Sequence, residues 1–170
     1  LQTSYVDLLY VHCFDSSTPI EETLQALTDL VRAGKVRYLG ASNFTGWQVQ
    51  LCASTSRHLG LERFSCLQQQ YSLLVREIEW EVTEVCAREG LGLLPWSPLK
   101  GGWLSGKMTR DGPPKGSRVH HVQEKGQKPN QSSPSFQSWA QQERTWKTLD
   151  MCKEIANRHE KTVAQVFSLF

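Results

Sequence analysis

Four apolar runs of the sequence are each followed at once by a side chain that could contact a ligand. These side chains belong to His12, Ser42 with Asn43, Gln68 and Trp96. Hydroxyl and carboxamide groups can pair fully with a carboxamide, while an indole offers a flat apolar face to a heteroaromatic ring. A single histidine after a strand is more often structural, but corresponding positions after four runs favour a site for an amide-bearing aromatic ligand.

The segment after Trp96 has the composition of a phosphate-binding turn. Residues 97–102 read Ser-Pro-Leu-Lys-Gly-Gly, and such a backbone can bend through its small residues and present N–H groups to phosphate oxygens. Lys107 and Arg118 follow and can supply positive charge. Each of these two side chains, taken alone, fits an ordinary solvated charge equally well.

Strand and helix patterns alternate along residues 5–96. The apolar runs are short and rich in β-branched and aromatic residues, and the segments between them have helical spacing. Short connections in this order require right-handed crossovers and a parallel sheet, with the candidate side chains at one end of it. Residues expected on its four strands are Leu8, Tyr38, Ser65 and Leu93.

The predicted strands are residues 5–11, 36–41, 64–68 and 91–96. The predicted helices are residues 18–33, 47–58 and 77–88, and Thr18 is the predicted cap of the first helix.

The pattern changes at about residue 100. Residues 100–137 are dense in Gly, Pro, Ser, Lys and Gln and predict a long loop, a functional lid or a disordered segment. A helix is predicted for residues 138–159, and a further one begins after its cap at Thr162. The strand–helix order alone fits either an open doubly wound sheet or part of a barrel.

The composition fits a globular protein of the cytosol. The net charge of +2 comes from scattered residues, without the basic stripe typical of a nucleic-acid partner. No apolar run reaches the roughly 18–20 residues of a membrane span, and the N-terminus lacks a secretory pattern. The five cysteines lack metal-ligand spacing, which favours reduced, mostly buried thiols over a structural metal or disulfide set. We therefore expect a cytoplasmic protein with no metal, no nucleic-acid partner and no membrane insertion.

Three motifs resemble successive signatures of the aldo-keto reductase superfamily. They are residues 7–12 (DLLYVH), 34–43 (GKVRYLGASN) and 96–102 (WSPLKGG). Residues 68–74 resemble the segment after strand six of that family, and the similarity covers nearly the whole chain. Trp96 and the long loop resemble the branch that contains potassium-channel β subunits and their bacterial relatives. The resemblance implies an α/β fold, a partial (β/α)8 TIM barrel in which residues 1–170 supply strands four to seven with their helices.

The resemblance also implies an activity and a site. In the family a tetrad of Asp, Tyr, Lys and His reduces a small-molecule carbonyl compound to an alcohol with NADP(H), and the Tyr is a general acid whose pKa the Lys lowers. His12 matches the His, which orients the carbonyl. Ser42, Asn43 and Gln68 match the ligands of the nicotinamide carboxamide, and Trp96 matches the ring that stacks on the nicotinamide. The positions that match phosphate contacts are Ser97, Pro98, Leu99, Lys100, Gly101, Lys107 and Arg118.

The other three tetrad residues are expected upstream of Leu1, and the unit that holds adenine and the 2′-phosphate is expected beyond Phe170. Three interpretations follow. The chain is a fragment or isoform of an NADP-dependent reductase, a non-enzymatic nucleotide-sensing subunit of the potassium-channel β type, or a truncated product without independent function. The regulatory branch often changes the His position, so His12 favours the reductase. Substrate specificity lies in the family's variable loops.

We predict that the purified 170-residue chain does not reduce nitrobenzaldehyde with NADPH. The general acid of the family is absent from it, and its loss alone typically costs 10²–10⁴-fold in rate. The measurement is the decrease of NADPH absorbance with and without aldehyde. Robust turnover by sequence-verified protein would show that the tetrad has been misassigned.

Overall fold

The computed structural model describes residues 2–126, 128–130 and 135–167, and in these residues four strands form one parallel sheet in the order β1-β2-β3-β4. The predicted parallel sheet is therefore confirmed, and each strand carries the residue expected on it. The strands are β1 (Val6–Val11), β2 (Val36–Ser42), β3 (Phe64–Gln70) and β4 (Gly92–Trp96). The helices are α1 (Ile20–Arg32), α2 (Gly46–Leu59), α3 (Val82–Glu89), α4 (Arg118–Glu124), α5 (Phe136–Ala140), α6 (Glu143–Arg158) and α7 (Val163–Phe167).

The chain forms two compact units. The first comprises residues 1–70 and 77–96 and contains the sheet with α1, α2 and α3. The second comprises residues 71–76 and 97–170 and contains α4 to α7. Among the described helices, none has the length and apolar character that a membrane crossing requires.

One face of the sheet is covered by the helices of the first unit. Leu39 of β2 and Leu67 of β3 are buried in one apolar cluster with Leu24 of α1, Val49 of α2 and Val82 of α3. Alternate residues of a strand point to opposite faces, so Gly40 and Ser42 of β2 lie on the other face from Leu39 and Ala41. That other face ends in the candidate ligand-binding residues.

The start of α1 differs from the prediction. Its N-cap is Pro19, and the predicted cap, Thr18, forms no capping hydrogen bond. The Thr18 hydroxyl instead donates to the Asp15 carboxylate at 2.7 Å, and Ser17 donates to the same group through its N–H and its hydroxyl. The Thr18 side chain is therefore oriented toward Asp15, and no side chain caps the first turn of α1. These bonds from Ser17 and Thr18 lower the pKa of Asp15 to about 2.

Two predicted helices are each divided. Residues 77–88 form a 3₁₀ turn, Glu77–Trp80, followed by α3, and the break lies at Glu81, where φ is −145°. Residues 138–159 form α5 and α6. The carbonyl of Ser138 accepts the Gln142 side-chain amide at 2.7 Å, and the carbonyl of Ala140 accepts the Trp146 indole N–H at 2.8 Å. These side chains occupy two carbonyls that a continuous helix would use, so the helix is interrupted.

The predicted loop at residues 100–137 contains short helical segments among the residues that the structure describes. A 3₁₀ segment, Lys100–Ser105, is followed by α4, and the start of α5 also lies in the range. Ser117 caps α4 by accepting the N–H of His120 at 3.2 Å. Val119 and Val122, three residues apart, are buried on the same side of the helix. Their burial stabilises α4 despite the polar composition around it.

The core of the second unit is built around Trp103, which is fully buried. Its indole stacks on the Phe136 ring with centroids 5.3 Å apart, and it meets the Trp146 ring edge-on at 5.9 Å. Leu104 and Leu149 are fully buried in the same cluster. Aromatic pairs at these separations add to the free energy of burial.

We predict that Gly40→Ala destabilises the first unit, whereas Gly92→Ala does not. Tyr10, Gly40 and Cys66 are register partners on three strands, and a Cβ at residue 40 would lie 2.7 Å from the Tyr10 ring and 3.0 Å from Cys66 Sγ. A Cβ at residue 92 would make only ordinary contacts, at 3.7 Å and beyond. Overpacking of this kind costs about 1–3 kcal/mol.

Urea unfolding of both variants and the parent chain measures the effect. Gly40 lies on β2 and Gly92 on β4 of the same sheet. Gly92→Ala therefore controls for the general effect of adding a methyl group to a strand. Equal changes in the free energy of unfolding for the two variants would contradict the packing described.

Candidate functional site

The side chain of Asn43 connects the ends of three strands. Its Nδ2 donates to the backbone carbonyl of His12 and to Oγ of Ser42, both at 3.0 Å, and its Oδ1 accepts the indole N–H of Trp96 at 2.9 Å. Its own backbone N–H donates to the carbonyl of Gln68 at 3.0 Å. One residue after β2 is therefore hydrogen-bonded to residues at the ends of β1, β3 and β4.

The backbone of Asn43 permits this arrangement. Its φ is 60°, in the left-handed region. Asparagine adopts that region more readily than most residues because its short polar side chain bonds locally. The strained conformation turns the chain after Ser42 and directs the carboxamide across the end of the sheet.

The structure brings together the sequence-predicted residues of the first unit. Ser42 pairs in register with Gln68, and His12 follows Val11, whose partner is Ala41, so these three residues lie at one level of the sheet. Trp96 pairs with Gln70 and lies two residues, or roughly 6–7 Å, farther along. All of them are at the carboxyl end of the strands.

The polar groups of this end differ in how much hydrogen-bonding capacity they retain. Both N–H groups of the Asn43 carboxamide are used within the protein. The half-buried Gln68 carboxamide and the exposed His12 imidazole form no hydrogen bond with the described residues. The buried Ser42 hydroxyl accepts one bond and retains its own proton. Gln68, Ser42 and His12 are therefore the groups that can still pair with a ligand.

The segment after Trp96 belongs to the second unit and is a tight turn. Ser97, Lys100, Gly101 and Gly102 all have positive φ, between 46° and 102°. The N–H of Lys100 donates to the carbonyl of Ser97 at 2.8 Å, and that of Gly102 donates to the carbonyl of Leu99 at 3.0 Å. Successive N–H groups of a turn can form a concave nest for anions, but the N–H groups of Lys100 and Gly102 are already bonded to carbonyls of this turn.

Lys100 is buried, which its charge alone did not predict. Its side chain is 5% exposed, and Nζ lies 5.1 Å from the centroid of the Trp139 ring. A cation over an indole face gains electrostatic attraction that offsets part of the loss of hydration. Lys107 and Arg118 are exposed in the same unit, and Arg118 is the first residue of α4. Pro98 is exposed, and Leu99 packs against the core of this unit.

Sequence reasoning missed two positioning contacts below the site. The Gln69 carboxamide is buried and donates to the backbone carbonyl of Phe44. The Tyr10 hydroxyl lies 3.4 Å from Cys66 Sγ, and burial, then this contact, raises the pKa of Tyr10 to about 12. The run Gln68-Gln69-Gln70 was the available signal for the first contact, because alternation places Gln69 on the opposite face from its neighbours.

The sequence matches the profile of the Aldo/keto reductase family over residues 1–169. The chain belongs to this family. Four parallel strands alternating with helices are consistent with part of the aldo/keto reductase TIM barrel, and members of the family typically use NADP(H).

Several curated proteins are similar to this chain. Aldo-keto reductase dtxS3 of Metarhizium robertsii is 43% identical over 65% of the chain and 30% of its own length. Norsolorinic acid reductase A of Aspergillus parasiticus is 38% identical over 77% and 34%, respectively. The putative aryl-alcohol dehydrogenase C750.01 of Schizosaccharomyces pombe is 40% identical over 60% and 31%. The chain thus spans about a third of the length of these relatives.

We predict that Asn43→Ala destabilises the chain by about 2 kcal/mol and frees the Trp96 indole. The variant leaves the His12 carbonyl and the Trp96 N–H without their partner and places alanine at positive φ. Urea unfolding measures the first effect. Exchange with water of the Trp96 indole proton, assigned with Trp96→Phe, measures the second.

Two further variants complete the test. Asn43→Asp keeps Oδ1 but loses both side-chain N–H groups, so it should keep the indole proton protected while losing stability. Asn157→Ala, at an exposed asparagine of α6, should change neither measurement. An indole proton that stays protected in Asn43→Ala would show that the Asn43–Trp96 bond does not form in solution.

Proposed function

We propose that this chain provides the cofactor-facing end of a reductase that converts aldehydes or ketones into alcohols with NADP(H). The observation that carries the proposal is the convergence of His12, Ser42, Gln68 and Trp96 at one end of the sheet, joined through Asn43, in a chain of the aldo/keto reductase family. The cofactor supplies a hydride when it is bound. The contribution of these residues is to bind and orient.

The hydrogen-bonding groups fit a nicotinamide carboxamide. Gln68 has a complete carboxamide to offer, and Ser42 has a hydroxyl proton. Asn43 retains one lone pair of Oδ1, since Trp96 occupies the other. Together they present donors and acceptors to both halves of an amide. We therefore assign Gln68 and Ser42 as the direct ligands and Asn43 mainly as a positioning residue.

Each of the two units contributes a further feature to the proposal. The bond from Nε1 of Trp96 to Asn43 fixes the rotation of the indole, which prepares a flat surface for stacking without an ordering cost on binding. The proposal assigns phosphate contacts to Ser97, Pro98, Leu99, Lys100, Gly101, Lys107 and Arg118. The exposed cationic side chains of Lys107 and Arg118 support this assignment, because they can pair with phosphate oxygens.

His12 is the proposed catalytic residue of the chain. Its exposed imidazole can donate a hydrogen bond to a carbonyl oxygen, and such donors stabilise the negative charge that develops during reduction. Tyr10 is not proposed as the general acid, because its raised pKa makes it a weaker acid than free tyrosine. The Asp, Tyr and Lys that the family uses are proposed to lie upstream of Leu1, and sequencing the transcript there tests this.

The regulatory alternative rests on the resemblance of Trp96 and the long segment to the potassium-channel β branch. Two observations favour the reductase instead. His12 is present, and the similar proteins named above are called reductases and a dehydrogenase. We also propose that the protein is cytoplasmic, which agrees with five free cysteines, of which four are buried.

We predict that NADPH quenches the fluorescence of Trp96 in the 170-residue chain with a Kd of about 1 mM or weaker. The proposal places the adenine and 2′-phosphate contacts beyond Phe170, and the loss of two or three charge-assisted bonds, at roughly 1.5–3 kcal/mol each, moves a micromolar ligand into this range. Trp96→Ala should abolish the quench. Gln68→Ala should weaken binding by roughly 3- to 10-fold, as the loss of one hydrogen bond does.

The control tryptophan is Trp80, which is 84% exposed in the 3₁₀ turn of the first unit. Trp139 is unsuitable, because its ring contacts Lys100, a proposed phosphate ligand. Trp80→Ala should leave the titration curve unchanged. A quench that survives Trp96→Ala would mean that the nicotinamide does not stack there, and no quench at any soluble NADPH concentration would favour a truncated product without function.

A further inference from the structure

Two adjacent histidines and a glutamate converge on the short helix α4. Within the described residues, His120, His121 and Glu124 are the group of three whose possible metal-ligand atoms all lie within 4.8 Å of one another. His120 and Glu124 are four residues apart and His121 and Glu124 are three apart, so one helical turn brings the three side chains together. The proposed function uses none of them.

The distance between His120 and Glu124 matches that of a metal site, and the other ligand distances are longer. Nδ1 of His120 lies 3.4 Å from Oε2 of Glu124, and Nδ1 of His121 lies 3.8 Å from the same oxygen. Ligand atoms at 2.0–2.1 Å from a tetrahedral zinc ion are separated by about 3.3–3.4 Å. The His121 and Glu124 side chains are exposed, so they have room to rotate toward a shared ion.

The Nδ1 atom of His120 lacks a hydrogen-bond partner, and a metal ion could bind to it. This atom is inaccessible to solvent, and although Glu124 is 3.4 Å away, the geometry is unsuitable for a hydrogen bond. A buried polar atom without a partner is unfavourable. Coordination requires only that the lone pair of Nδ1 and a carboxylate oxygen both point toward a point between them.

The backbone holds the two histidines in place. Ser117 Oγ accepts the N–H of His120 at 3.2 Å, and the carbonyl of Ser117 accepts the N–H of His121 at 3.0 Å. Val119 and Val122 bury the opposite side of α4. The helical turn that carries the three side chains is therefore held in place before an ion binds, which lowers the entropy lost on binding.

We propose that α4 binds a divalent transition metal ion, with zinc as the reference ion, through Nδ1 of His120, Nδ1 of His121 and the carboxylate of Glu124. Imidazole nitrogen with one carboxylate selects zinc, nickel or copper over magnesium and calcium, which prefer oxygen ligands. Three protein ligands leave the fourth place of a tetrahedron to water. This inference is independent of the proposed reductase function.

The test uses the 170-residue chain carrying Cys13→Ser, which removes its exposed thiol. Calorimetric titration with Zn²⁺ should give one site. His121→Ala and Glu124→Gln, both at exposed side chains, should each weaken binding by at least the 10- to 100-fold that follows loss of an outer-sphere partner. His159→Ala, at an exposed histidine after α6, is the matched control and should leave the affinity unchanged.

Two spectroscopic measurements keep the test decisive if a variant folds poorly. Zn²⁺ added to the chain with all its histidines should shift the ring resonances of His120 and His121 and leave those of His58 and His159 in place. Co²⁺ should give the visible bands of a nitrogen and oxygen site without thiolate charge transfer. Absence of zinc binding, unchanged affinity in both ligand variants, unmoved His120 and His121 signals, or a thiolate band would overturn the proposal.

Discussion

The arrangement of side chains at the carboxyl end of the sheet depends on the hydrogen bonds of the Asn43 carboxamide. Four parallel strands place the side chains that follow them at one end of the sheet. The hydrogen bonds between strands stop at the last residue pair and do not fix the positions of the residues beyond it. Asn43 provides this arrangement with two donated bonds, one accepted bond and a left-handed backbone. Because both of its N–H groups are engaged within the protein, its main effect is to fix the positions of its neighbours.

Much of this arrangement follows from sequence pattern. Short apolar runs alternating with helical segments were sufficient to predict a parallel sheet, and parallel strands place all residues that follow them at one edge. The sequence alone therefore assigns to one end of the sheet the four candidate residues His12, Ser42, Gln68 and Trp96. What the pattern did not contain was the bond between Asn43 and Trp96, which joins residues 53 positions apart in sequence.

The differences at α1 and between α5 and α6 have a common physical origin. In each case a side chain forms a hydrogen bond that the local sequence pattern does not predict. The Thr18 side chain is oriented toward Asp15 and does not cap α1, and the side chains of Gln142 and Trp146 donate to carbonyls of α5 at the point where a continuous helix was predicted. Composition also misled at α4, because a polar segment can form a helix when two well-spaced valines are buried. Local propensity does not contain such tertiary contacts.

The close approach of the Tyr10 ring to Gly40 constrains how this sequence can evolve. Any side chain at position 40 would collide with the ring, so a larger residue there becomes tolerable only after position 10 has become smaller. The two positions are therefore epistatic: a methyl group at position 40 is overpacked beside Tyr10, whereas a smaller residue at position 10 leaves a gap that this methyl group can fill. Among homologues, small residues at position 40 should accompany an aromatic residue at position 10.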